Sequence, residues 1–226
     1  MTNLDLSQIL LINKPLEWTS FDVVKKVRGI LKKKYNISKL KVGHAGTLDP
    51  KASGLLVLCV GRKTKQISNF ENLDKKYIGV LKLGCVTDSF DSETAEKNIK
   101  PYAYISEEIA HNIFADFIGP QQQVPPVFSA LKINGERLYK KARRGELDIN
   151  LKSRSIKIHK LKILEFKLPF IKFEVTCGKG TYIRSLANDI GKKLLCGAYL
   201  HELTRTAIGD FKLENARDIN EIMPTL

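Results

Sequence analysis

Leu55 to Val60 is a run of six consecutive apolar side chains, the longest in the chain. A membrane-spanning helix needs about 20 such residues, so this run does not predict a bilayer span. A half-buried strand alternates polar and apolar positions. A short run with no polar position reads instead as a strand covered on both faces. The chain must therefore place a sheet between two other layers. With 226 residues, 43% of them hydrophobic, it has the material for one such core.

The flanking pattern fills in the rest. Ile9 to Ile12 predicts a short buried strand. Thr19 or Ser20 can cap a helix to about Lys34, with Val23, Val24, Val27, Ile30 and Leu31 on one face and lysines on the other. Tyr77 to Gly84 alternates as a strand, and the acidic, polar stretch 86–108 reads as a loop. Ser106 opens a helix running through Phe117 and closed by Gly119-Pro120. Phe128 to Ile133, Asn134-Gly135 and Glu136 suggest a hairpin with a type I′ turn, followed by a short basic helix from Tyr139 to Arg144. Residues 155–166 and 170–177 pair as strands, 183–195 form an amphipathic helix, Tyr199 to Ile208 a strand, and a short helix ends the chain. Strands outnumber helices and hairpin-like connections dominate. The expectation is an α+β fold with a mixed sheet rather than a doubly wound one.

The formal net charge is +14, and its placement matters more than its size. Segments 14–41 and 132–160 each carry a net +7, and the rest of the chain balances. Two basic clusters on one chain point to a polyanion partner. Cys59, Cys85, Cys177 and Cys196 lie far apart with no C-x-x-C pair, and the four histidines are scattered, so buried thiols and no metal are expected. The N-terminus has neither a basic segment nor a long apolar stretch, which predicts a soluble, cytoplasmic protein with no signal peptide.

The densest chemical signal is Val42-Gly-His-Ala-Gly-Thr-Leu-Asp-Pro-Lys-Ala-Ser-Gly-Leu-Leu56. Gly43, Gly46 and Gly54 permit positive φ and close backbone approach. Pro50 biases Asp49 towards an extended conformation. The loop feeds directly into the buried strand, which gives it a rigid base. Spacing alone favours the plainer reading, a turn in which Asp49 bonds nearby amides.

This segment closely resembles the catalytic motif of the TruB family of pseudouridine synthases, which modify uridine at position 55 in the T loop of tRNA. The resemblance covers nearly the whole chain. Asn13-Lys-Pro-Leu-Glu-Trp-Thr-Ser20 is similar to the family's N-terminal Lys-Pro motif. Lys76 to Gly84 with Thr87-Asp88 resembles its tyrosine-bearing strand. Pro125 to Lys132 with Gly135 to Tyr139 resembles its RNA-binding insertion. Cys177-Gly-Lys-Gly-Thr-Tyr-Ile-Arg184 is similar to its arginine motif, and Leu203-Thr-Arg-Thr206 with Gly209 to a late strand of its catalytic domain.

The resemblance implies a pseudouridine synthase fold: α+β, with a mixed, mostly antiparallel sheet flanked by helices and loops. It implies one catalytic domain over 1–226 with an RNA-binding insertion at 124–152. It gives Asp49 the role of nucleophile, attacking the uracil base or the ribose C1′. The base leaves through N1, rotates and rejoins through C5, an isomerisation that needs no cofactor and no metal. Arg184 would pair with the aspartate and favour its ionised form. Tyr77 would stack on the target base, which must leave its helix to react, and help remove the C5 proton. Tyr182 and Leu203 would line the uridine pocket. His44 would fill the space left by the flipped nucleotide. Lys14 would reach a phosphate or support the site floor. Lys140, Lys141, Arg143 and Arg144 would track phosphates beside a stacking Tyr139. The implied partner is the tRNA T stem-loop, met by a monomer without protein partners.

Two features depart from the family pattern. Glu17 stands where the family usually has glycine. The chain closes at Leu226, so the separate C-terminal RNA-binding domain of many members is expected to be absent. Two other functions share the basic charge: an RNA-binding chaperone of tRNA folding, and a guide-dependent enzyme acting on ribosomal RNA. The combination of Asp49, Tyr77 and Arg184 favours catalysis.

Overall fold

The structure is a computed structural model that describes residues 6–133, 135–219 and 221. In chain order the elements are β1 (Ile9–Lys14), α1 (Ser20–Lys34), β2 (Val42–Ala45), β3 (Ala52–Val60), α2 (Ile67–Glu71), β4 (Lys75–Leu83), α3 (Glu107–Ala115), β5 (Gly119–Gln123), β6 (Lys132–Ile133), β7 (Glu136–Arg137), α4 (Leu138–Arg143), β8 (Arg154–Lys167), β9 (Phe170–Cys177), α5 (Ile183–Lys193), β10 (Ala198–Ile208), β11 (Phe211–Lys212) and β12 (Arg217–Asp218). They form two compact units, residues 1–77 with 203–226, and residues 78–202.

The first unit is built on β3, the strand that carries the apolar run. Leu55 through Val60 are all fully buried. Alternate residues point to opposite layers. Leu56, Leu58 and Val60 join Ile12 and the α1 residues Val23, Val24, Val27 and Leu31. Leu55 and Val57 join Ala45 and Ile208, with Ile67 and Phe70 packed against them. Two separate layers thus require the uninterrupted apolar run. β1 lies antiparallel to β3 with Ile12 opposite Leu56, β2 lies antiparallel with His44 opposite Leu58, and β10 lies parallel with Arg205 opposite Gly54. The sheet is therefore mixed, as expected.

Helix α1 begins where its capping residues put it. Thr19 is the N-cap and accepts from the Asp22 amide, while the Asp22 carboxylate accepts from the Thr19 amide. Lys32, Lys33 and Lys34 fall in the last turn, where the helix dipole favours cations. Ile30 is only partly buried, because it sits at the edge of the stripe.

In the second unit β5, β8 and β9 pair antiparallel in that order. Phe114 of α3 meets Phe173 of β9 edge-on at 6.1 Å. The polar strand β5, with sequence GPQQQ, has no apolar signature, because its backbone pairs with β8, Pro120 and Gln122 face outward, and its buried side chain is the polar Gln123. The long hairpin expected at 128–137 contracts to the two-residue strands β6 and β7. Gly135 has φ +83°, in keeping with a tight turn, and Asn134 lies outside the described residues. The helix expected at the C-terminus does not form over 211–219, where β11, a 3-10 turn at Leu213–Asn215 and β12 stand instead; residues 220 and 222–226 lie outside the described residues. All four cysteines are buried thiols. Among the described residues no helix is long and apolar enough to cross a membrane.

Candidate active site

Asp49 sits half-buried in the turn between β2 and β3. The backbone around it is tied residue by residue. The carbonyl of Gly46 accepts from Arg205 Nη2 at 3.0 Å, and that of Thr47 from Nη1 at 3.4 Å. Leu48 is held at both ends of its residue, its amide donating to Ser20 Oγ at 2.8 Å and its carbonyl accepting from the same hydroxyl at 3.0 Å. The Asp49 carbonyl accepts from the Ala52 amide at 3.1 Å, which closes a tight turn. The Pro50 carbonyl accepts from the Glu17 amide at 2.9 Å. The expected loop on a rigid base is therefore met in detail.

Glu17, which replaces the family's usual glycine, has φ +65°. The position demands the left-handed conformation that glycine adopts freely and other residues adopt at some cost. Its carboxylate meets Lys51 Nζ at 2.7 Å, and its amide supports Pro50, so the departure leaves the turn in place.

Lys14 is fully buried. Its ammonium donates to the carbonyls of Pro15 at 2.9 Å and Trp18 at 2.6 Å. Burial lowers its pKa from 10.5 to about 8, against the opposing attraction of the Asp49 carboxylate, and the Arg205 cation lowers it further. An ammonium buried in this way and bonded to the Pro15 and Trp18 carbonyls is not presented to an RNA phosphate, against the phosphate contact expected for Lys14. His44, on β2, is half-buried, and burial first and Arg205 second lower its pKa. It is thus biased to the neutral imidazole. Tyr77, on β4, is buried, and Leu203, on β10, is partly buried opposite Ala52.

Tyr182 and Arg184 belong to the second unit. Tyr182 is the N-cap of α5, and its backbone is locked by Gln123: the Tyr182 amide donates to Oε1 at 2.8 Å and the carbonyl accepts from Nε2 at 3.0 Å. The Arg154 guanidinium lies over its ring at 4.3 Å. Arg184, in the first turn of α5, is 4% exposed. It donates to the carbonyls of Ser89 at 3.0 Å and Phe128 at 2.9 Å, and its Nε stands 3.5 Å from Asp91 Oδ2.

Asp91 was not legible as a site residue. It lies in the 86–108 stretch that reads as a polar loop, yet it is itself 4% exposed. Thr87 and Ser89 hydroxyls both donate to its carbonyl, and its backbone bridges to Leu200. The contacts of Ser20 and Arg205 with the 46–48 backbone were also not legible; Ser20 reads as a helix cap and Arg205 as one residue inside a strand motif.

Arg143 and Arg144 of the 132–160 stretch are exposed and Lys141 half-buried, and all three are engaged. Arg144 pairs with Glu136 at 2.6 Å and Glu146 at 2.9 Å, Lys141 with Glu146 at 3.0 Å, and Arg143 with Glu93 at 3.0 Å while lying over the Tyr139 ring. Lys140 is exposed. The phosphate-tracking cluster expected from sequence is thus partly neutralised by its own glutamates.

Comparison with known proteins bears on this arrangement. Residues 31–183 match the model of the TruB family pseudouridylate synthase N-terminal domain. The chain is 49% identical over 215 residues to a protein of Parabacteroides distasonis named tRNA pseudouridine synthase B, covering 95% of this chain and 91% of that one. It is 51% identical over 214 residues to the protein of that name in Chlorobium chlorochromatii, covering 95% and 83%. Among solved structures, a chain in the crystal structure of a Cbf5-Nop10-Gar1 complex matches with a TM-score of 0.72 and 28% identity, covering 95% of this chain and 53% of that one. The present chain therefore spans about half the length of that structure's chain.

Proposed function

The chain belongs to the TruB family of pseudouridylate synthases, and from that premise we infer that it isomerises uridine to pseudouridine in tRNA, at position 55 of the T loop, with Asp49 as the nucleophile. The observation that carries the assignment of Asp49 is its placement: a carboxylate on a turn whose backbone is tethered at every residue from 46 to 50. A loop that only joined two strands would not need this. Covalent catalysis needs the carboxylate held at attack distance from a base that has left its stack.

In this reading Asp49 bonds to the uracil base or the ribose C1′, the glycosidic bond to N1 breaks, the base turns, C5 joins C1′, the bond to Asp49 breaks to free the carboxylate, and the proton lost from C5 is balanced by one gained at N1. Arg184, whose Nε faces Asp91 in the structure, is taken as the electrostatic partner of the reaction, and Tyr77 stacks on the base and helps remove the C5 proton. Tyr182 and Leu203 line the pocket, and His44 fills the vacated place in the T loop as a neutral imidazole. Residues 124–152 bind the RNA arm through Lys140, Lys141, Arg143 and Arg144. The enzyme works in the cytoplasm, as a monomer, without cofactor, guide RNA or protein partner.

Asp49→Asn and Asp49→Ala should abolish pseudouridine formation on an isolated T-arm stem-loop while keeping RNA affinity within about twofold, because phosphate contacts supply most of the binding. Because the isomerisation leaves mass unchanged, chemical labelling of pseudouridine reads it. Substantial turnover by either variant removes Asp49 from the nucleophile role. No turnover by the wild-type chain on the bare T arm would instead favour a chaperone or a guide-dependent enzyme.

A further inference from the structure

Arg205 is among the largest fully buried side chains of the protein, 1% exposed. It lies on β10 opposite Gly54, and its guanidinium reaches across β3 to the turn before Asp49. Nε donates to the Leu55 carbonyl at 2.8 Å, Nη2 to Gly46 at 3.0 Å and Nη1 to Thr47 at 3.4 Å. These carbonyls lie on both sides of the nucleophile in sequence. Gly46, at φ +89°, is where the chain turns out of β2. Gly54 lets β3 and β10 close up: a Cβ there would stand 2.4 Å from the Arg205 carbonyl oxygen. On the opposite flank the buried Ser20 hydroxyl holds Leu48 through both backbone groups.

Resting on the function inferred above, we propose that Arg205 is a positioning residue for the reaction, a clamp that fixes the direction of the Asp49 side chain by gripping the backbone on either side of it, with Ser20 as the second jaw. The chemistry requires arginine. A guanidinium carries donors in a rigid planar fork and can satisfy three separated carbonyls at once; an ammonium offers its donors from a single point. A group that merely filled the core would not need its donors aimed at carbonyls that bracket one carboxylate. Arg205 touches the loop and not the substrate, so its loss should act on the chemical step and not on RNA binding.

The experiment uses the full chain and a T-arm stem-loop, with Arg205→Lys, Arg205→Met and Ser20→Ala. Single-turnover rate, RNA Kd, thermal midpoint and amide hydrogen exchange at Thr47, Leu48 and Asp49 are measured for each. Arg205→Lys keeps the charge and loses the fork. It should remain folded, bind RNA within about twofold of wild type, exchange faster at the loop and lose roughly 100-fold in single-turnover rate, the cost of an ångström-scale misplacement. Ser20→Ala should lose rate in the same direction with its fold intact, and it decides the matter if both Arg205 variants fail to fold. A folded Arg205→Lys or Ser20→Ala protein with wild-type rate, or with its loss wholly in Kd, overturns the clamp. If the wild-type chain itself does not turn over T-arm RNA, the inferred function fails instead. Loop exchange then still judges the clamp: unchanged exchange in Arg205→Lys and Ser20→Ala overturns it, and faster exchange upholds it.

Discussion

Lys14 offers the sharpest quantitative test of the site's electrostatics. Its side chain is fully buried, its ammonium is bonded to two carbonyls, and its pKa falls from 10.5 to about 8 chiefly through burial. The folded chain therefore releases this proton more readily than the unfolded chain does. Between pH 8 and 10.5 the unfolded state binds more protons, so stability rises with pH across that window. A tenfold change in proton affinity is worth about 1.4 kcal/mol, so the whole fall in pKa corresponds to about 3 kcal/mol, and about 2 kcal/mol of it is recovered between roughly pH 7 and pH 9.5. Buried thiols oppose this trend. Burial pushes the pKa of Cys59, Cys85 and Cys196 up, so their contribution is lost as pH rises. Urea unfolding of the wild type and of Lys14→Met over that range cancels this background in the difference. The wild type should gain about 2 kcal/mol relative to the variant. A difference that stays flat or falls with pH refutes the picture of a penalised buried ammonium. In Asp49→Asn the attraction that holds the Lys14 pKa up is gone. The same rise should then begin at lower pH.

Two other outcomes follow from the geometry. Gly54→Ala places a Cβ 2.4 Å from the Arg205 carbonyl and 2.8 Å from its amide nitrogen at φ +100°; with backbone strain of about 1–3 kcal/mol added to a clash that only a strand shift can relieve, urea unfolding should show a loss of about 3 kcal/mol or more, and a wild-type midpoint refutes it. Glu136→Gln combined with Glu146→Gln releases Lys141 and Arg144 from internal pairs. The slope of log Kd against log salt for T-arm RNA should steepen by roughly one unit per cation that gains a phosphate, while neutralising Lys140, Lys141, Arg143 and Arg144 should flatten it; unchanged slopes in both place the RNA surface elsewhere.

The parts of the fold set by local periodicity were legible. The apolar run placed β3 between two layers because each face of the strand has its own hydrophobic cluster. Thr19 or Ser20 as the cap put the start of α1 within a residue, and Thr19 is the cap. Strand β5 escaped because its pairing uses backbone groups and its one buried side chain, Gln123, is polar, so no apolar period marks it. The role proposed for Asp49 rests in the sequence only on the length of the matched motif, since an Asp-Pro turn is ordinary by itself. Arg205, Ser20 and Asp91 were hidden for one shared physical reason. Their partners are backbone carbonyls and a buried arginine at long sequence separation, and neither composition nor spacing reports such contacts.

The charge of +14 also changes meaning once the side chains are placed. Counting residues in 14–41 and 132–160 suggests two equal patches facing a polyanion. Yet Lys14, counted in the first, is buried, with its ammonium bonded to the Pro15 and Trp18 carbonyls. In the second, Lys141, Arg143 and Arg144 are bonded to Glu93, Glu136 and Glu146. Glu136 and Glu146 are already subtracted in the second segment's net charge, so pairing with them leaves its far field unchanged. Only Glu93 in the second patch and the burial of Lys14 in the first take anything off, and the two patches stay about equal. Exposed Lys25 and Lys26 of α1 stay in the first patch with the basic last turn of that helix. Long-range steering should therefore come from both patches, while the paired cations of the insertion form short-range contacts only by exchanging a glutamate for a phosphate. Such an exchange gives little net affinity, because an ion pair is broken for each one made. It does impose geometry, because only an RNA arm of the right shape can replace all three carboxylates together. Selectivity for a folded arm over an arbitrary polyanion can arise this way without any base-specific contact.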